Sequence, residues 1–102
     1  MRIVKVYGIS MEPVLHAGDI VLVEAADEYK IGDILVFDYG KQGILIHRFI
    51  EKLDELFVCR GDNGIRKEII GKKRILGKIV MTTEGKPYKA TELEEKKQQW
   101  QY

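Results

Sequence analysis

Apolar and polar positions alternate in short bursts over most of the chain. Six stretches carry the pattern: Arg2–Tyr7, Asp19–Glu24, Ile34–Phe37, Gly43–Leu53, Leu56–Cys59 and Ile75–Thr83. Each is rich in Val, Ile, Leu or Phe and is bounded by Gly, Asp or Pro, which marks strands separated by turns. Gly18-Asp19 and Gly32-Asp33 each open a β-branched run. Glycine supplies the turn conformation and aspartate bonds local amides, so both aspartates read as structural. Asp38–Gly43 and Asp54-Glu55 are hairpin turns, and Gly77 marks a bulge in the last strand.

Two segments break the pattern. Arg60–Arg74 holds three glycines and much of the charge, and reads as a loop, mobile except where Asp62 is held. From Thr91, a capping box (Thr91-Glu92-Leu93-Glu94) and the pairs Glu92/Lys96 and Glu94/Lys97 predict a helix to Trp100. Leu93 and Trp100 are its apolar anchors, so it stands apart from the core. The expected fold is all-β: a twisted antiparallel sheet coiled into a partly open barrel over residues 1–83. Residues 84–102 then form an extension with a short C-terminal helix.

Composition narrows the function. A chain of 102 residues is one domain, and a net charge of +1 excludes nucleic-acid binding by bulk electrostatics. The cations Arg66, Lys67, Lys72, Lys73 and Arg74 have no interleaved aromatic residue and read as a solvated face. The single cysteine, Cys59, lies in an apolar run and reads as a buried small residue. Apolar runs fall short of the roughly 20 residues that span a bilayer. The expectation is a soluble, cytoplasmic protein, or a membrane-associated one if an anchor has been removed. The pattern calls for no metal and no cofactor.

The candidate chemistry starts at Gly8-Ile9-Ser10-Met11-Glu12-Pro13. Gly8 ends the first strand and Pro13 keeps it from resuming, so Ser10 sits on a turn. A turn serine most often caps backbone groups. The company it keeps decides otherwise. Ser10–Leu15, Gly18–Val21, Gly32–Leu35, His47-Arg48, Gly61-Asp62-Asn63 and Gly77–Ile79 follow one another in a fixed order. In that order they closely resemble the superfamily that joins type I signal peptidases and the self-cleaving SOS-response repressors. The resemblance covers nearly the whole chain up to about Thr83. Lysine precedes the arginine in bacterial signal peptidases and repressors; His47 here resembles the histidine-base branch of endoplasmic-reticulum and spore-former signal peptidases.

The resemblance implies Ser10 as nucleophile, His47 as general base and Asp62 as the carboxylate partner. Met11 and Pro13 would border the substrate groove, with an extended peptide added as a strand. Many signal peptidases carry a serine two residues before the nucleophile. Here that residue is Gly8, so the oxyanion would rely on backbone amides around Gly8 and Ser10. The branch also often carries a second aspartate after Gly-Asp-Asn; Gly64-Ile65-Arg66-Lys67 supplies none. The chemistry is coherent by itself. A serine hydroxyl needs a base, histidine titrates near neutrality, and a carboxylate on the far nitrogen fixes its tautomer. His16, the other histidine, reads as a surface residue.

These features imply a small serine endopeptidase that processes a leader peptide or propeptide by a Ser10–His47 dyad, extended to a triad if Asp62 orients the ring. Two alternatives are a non-catalytic peptide-binding module of the same fold and the catalytic domain of a membrane signal peptidase. Self-cleavage is disfavoured, because Ala17-Gly18 lies in the same turn as Ser10 without slack to enter the site.

Overall fold

The computed structural model describes residues 1–82, and the helix expected over Thr91–Trp100 lies outside them. Seven strands form one antiparallel sheet: β1 (Arg2–Lys5), β2 (Ile20–Glu24), β3 (Ile34–Asp38), β4 (Ile44–Leu53), β5 (Leu56–Arg60), β6 (Lys67–Gly71) and β7 (Ile75–Met81). Their order is β1-β2-β7-β3-β4-β5-β6, with β7 filling the place between β2 and β3. The sheet curls into a half-barrel whose edges are β1 and β6.

The central strand explains the curl. All four apolar residues of β3 are buried, Ile34 and Val36 on one face and Leu35 and Phe37 on the other. One core, with Val6, Met11, Leu15, Val21, Val23 and Ile79, packs beneath the Ser10 turn. The second gathers Phe49, Phe57, Cys59 and Ile70 around Phe37. Bulges bend three of the strand pairs: register shifts occur at Leu22/Val23, Val36/Phe37 and Phe49/Glu51. Gly77 is a close-approach glycine beside one of them. A β-carbon there would lie 2.8 Å from both the Glu24 carbonyl oxygen and Val23 Cγ1.

The two Gly-Asp turns share one construction. Gly18 and Gly32 have φ of 94° and 102°, and each donates its N–H to a backbone carbonyl, that of Val6 just past β1 and that of Phe49 in β4. Asp19 Oδ2 accepts the His16 amide and Asp33 Oδ2 the Lys30 amide, both at 2.8 Å. The structural reading of both aspartates fits this geometry.

One expectation fails. Arg60–Arg74 is not a single loop: Lys67–Gly71 is strand β6, paired with β5 from Arg60↔Lys67 to Leu56↔Gly71, and Lys72–Arg74 is a 3-10 turn. Lys67 outward and Ile70 inward follow hydrophobicity, but the pair between them is reversed, with Glu68 buried and Ile69 exposed. A pattern search for apolar positions therefore misses it.

Candidate active site

Strand alternation sends His47 and Arg48 to opposite faces of β4. His47 lies opposite Leu35 in the β3–β4 ladder, and its ring stands edge-on to Phe37 at a centroid distance of 6.2 Å. Its Nε2 lies 3.1 Å from Ser10 Oγ. Its Nδ1 lies 2.7 Å from Glu68 Oε1, in a pair whose side chains are 12% and 3% exposed. An ionised carboxylate only accepts hydrogen bonds, so it holds the proton on Nδ1 and leaves Nε2 to accept from the serine hydroxyl. Ser10, His47 and Glu68 thus form a continuous hydrogen-bonded line.

The expectation that Asp62 faces His47 is not met. Asp62 Oδ1 and Oδ2 accept from Arg48 Nε and Nη2 at 2.7 and 2.6 Å, a bidentate pair with side chains 1% and 2% exposed respectively. Arg48 Nη1 also donates to the Gly32 carbonyl at 2.9 Å. Because Arg48 is the neighbour of His47 in the strand, its partner is on the other face. The carboxylate at the ring comes from β6, one residue beyond Gly64-Ile65-Arg66-Lys67, which carries no acid. The signal available was the Cys59↔Glu68 cross-strand pair, which requires β6 to be recognised first.

The Gly61-Asp62-Asn63 segment clamps the serine turn. Asn63 donates its N–H to the Ser10 carbonyl at 2.9 Å and its side-chain amide to the Ile9 carbonyl at 3.1 Å. The Asp62 N–H points to Met11 Sδ at 3.4 Å. Gly61 passes so close that a β-carbon would lie 2.6 Å from the Ser10 carbonyl oxygen and 3.2 Å from His47 Nε2. Gly8, at φ 76°, supplies the left-handed backbone that turns the chain towards Ser10. Among the described residues the Ser10 N–H donates to no backbone acceptor, which leaves it available to an incoming oxyanion.

A cleft of about 360 Å³ opens beside the dyad. β1 and Tyr7 form one wall, Ile44–His47 of β4 the other, and Val23, Val36 and Leu76 the floor. β1 has one edge unpaired. Ile44–His47 pair only with β3, since β5 begins its pairing at Arg48. Four antiparallel steps separate β1 from β4, so the two free edges run in the same sense. A second hollow lies across the dyad, between Leu45 and the Gly64–Arg66 turn. Met11 lines the main cleft but is buried in the core, and Pro13 is exposed in the turn outside the lining. His16 is exposed and pairs with Glu12 at 3.1 Å, away from the dyad.

Cys59 is buried, and burial, with the Glu68 carboxylate adding to it, pushes its thiol up to about 12. That leaves it inert as a nucleophile. Among the described residues no cluster of three or more metal-ligating side chains occurs, and no helix is long and apolar enough to cross a membrane.

A family model described as Peptidase S24-like matches residues 1–80. Comparison with curated proteins and with solved structures gives no match.

Proposed function

The chain belongs to the Peptidase S24-like family, and we propose that it is a serine endopeptidase acting through Ser10, His47 and Glu68 on an extended peptide. The observation that carries the reading is the line Ser10 Oγ–His47–Glu68, with separations of 3.1 and 2.7 Å. A capping serine has no need of a histidine at its hydroxyl, nor that histidine of a buried carboxylate. Burying the Glu68 charge costs several kcal/mol unless it is paired.

In this reading His47 Nε2 takes the Ser10 proton as Oγ attacks the scissile carbonyl carbon. The oxyanion forms against backbone amides of the Gly8–Ser10 turn, that of Ser10 foremost. His47 passes its proton to the leaving amine as the C–N bond breaks. Water, deprotonated by the same nitrogen, then hydrolyses the acyl-enzyme and frees Ser10. Glu68 keeps the ring in its tautomer and stabilises the imidazolium; Asp62 acts on the frame through Arg48. The substrate lies as one strand between the free edges of β1 and β4, where it meets both in the same sense.

The test is mass spectrometry of a peptide library incubated with wild type and with Ser10→Ala. New termini that appear with wild type alone support the assignment. Identical digestion patterns would refute it.

A further inference from the structure

The cleft walls carry a charge imbalance that the chemistry of cleavage does not require. Arg2 and Lys5 are exposed on β1 at the border of the main cleft, whose described lining contains no Asp or Glu. The ion pairs among the described residues leave both free of a carboxylate partner. Across the dyad, the second hollow holds Arg66, and its one acid, Glu68, is engaged by His47. Three cations, Arg2, Lys5 and Arg66, thus border the two hollows with no carboxylate partner among the described residues.

Tyr7, Ser10 and His47 aside, the remaining surface of the main cleft is apolar. Val4, Val23, Val36, Ile46 and Leu76 line it. In a strand laid there, alternate side chains point to the floor and the others to the rim. The floor suits aliphatic side chains, while Arg2 and Lys5, exposed at the cleft border and projecting from opposite faces of β1, suit carboxylates at matching positions of the peptide. Strand rise puts Arg2 and Lys5 roughly 10 Å apart, about three residues of an extended peptide. Both lie on the far side of Tyr7 from Ser10, so the charge is read away from the scissile bond.

We infer that the preferred occupant is an acidic, aliphatic extended peptide, with carboxylates on the side of the scissile bond that enters the β1 arm. The inference rests on the peptide-binding role proposed for this cleft, and adds its specificity. Arg2 and Lys5 are specificity residues: they act on binding and leave the Ser10–His47–Glu68 line untouched.

The experiment uses Ser10→Ala protein, so that binding is read without cleavage. Ten-residue peptides built on Val-Val-Glu or Val-Val-Lys repeats, which space the charges three residues apart, carry a neutral dye and are titrated by fluorescence anisotropy. The glutamate peptide should bind about tenfold tighter than the lysine peptide at low salt, as expected for two exposed ion pairs. The difference should shrink at high salt. Adding Arg2→Glu and Lys5→Glu, both at exposed positions, should reverse the order. Equal affinities, no binding of either peptide, or a preference that survives the charge reversal would overturn the inference. Charge preference without any Ser10-dependent cleavage by wild type would sink the peptidase reading and leave this one standing. Cleavage without charge preference would do the opposite.

Discussion

Glu68 Oε1 lies 2.7 Å from His47 Nδ1, although the two residues are 21 positions apart and on strands separated by β5. The contact joins the edge strand β6 to the hydrogen-bonded partner of Ser10. Glu68→Gln keeps the size of the side chain but allows its amide to donate to Nδ1, which would favour the wrong tautomer. We expect kcat to fall by about 10²-fold or more with little change in KM, and Glu68→Asp to recover part of the loss. Steady-state kinetics on a cleaved peptide checks this. Activity within twofold of wild type in Glu68→Gln would remove Glu68 from the mechanism.

Asp62 should behave differently. Asp62→Ala leaves the Arg48 guanidinium buried without its partner, which costs about 3 to 5 kcal/mol. For a domain of this size each kcal/mol lowers Tm by roughly 4 to 8 °C. Thermal unfolding should therefore show a large drop, and activity below the new transition should suffer less than in Glu68→Gln. A stable but inactive Asp62→Ala would return Asp62 to the reaction itself.

These two carboxylates also show how far the sequence reaches. Ser10 and His47 stand in short motifs whose order survives without knowledge of pairing, and the strands before Arg60 announce themselves by apolar alternation. Glu68 has no such mark. Its strand turns a charge inward and Ile69 outward, which is the reverse of the usual pattern, and only the ladder from Arg60↔Lys67 onward reveals it. Asp62 misleads for a related reason. It sits in a motif near the histidine in sequence, but strand alternation gives it to Arg48 and the opposite face.

Gly61→Ala tests the clamp on the serine turn. The added methyl would meet the Ser10 carbonyl oxygen at 2.6 Å, which is backbone and cannot swing aside. We expect a destabilisation of about 1 to 3 kcal/mol and a loss of activity larger than the fraction unfolded explains. Gly77→Ala meets the Glu24 carbonyl oxygen and Val23 Cγ1 at 2.8 Å rather than Ser10 or His47, and should lower stability while sparing kcat. Chemical denaturation and kinetics on both variants separate the two effects. Equal kcat losses would show that Gly61 serves only the fold.

Cys59 gives a pH dependence of defined sign. Burial, then Glu68, raise its pKa from 9.0 to about 12. Between these values the unfolded chain loses a proton that the folded one keeps, so stability attributable to this group is complete below about pH 9 and falls as pH rises towards 12. The slope is at most about 1.4 kcal/mol per pH unit. Urea unfolding of wild type and Cys59→Ala across pH 8 to 10.5 should show the steeper decline in wild type. Parallel slopes would contradict the shift. A thiol reagent at pH 8 should modify the unfolded chain and leave the folded one unmodified.

The central claim is that Ser10 and His47 work as one nucleophilic unit, and a double-mutant comparison tests it most directly. On a peptide cleaved by wild type, kcat is measured for Ser10→Ala, His47→Ala and the double variant, with folding verified for each. The account predicts that each single change removes nearly all activity and that the double variant is no worse than either. Losses that multiply, or a His47→Ala enzyme that still turns over at a comparable rate, would contradict it.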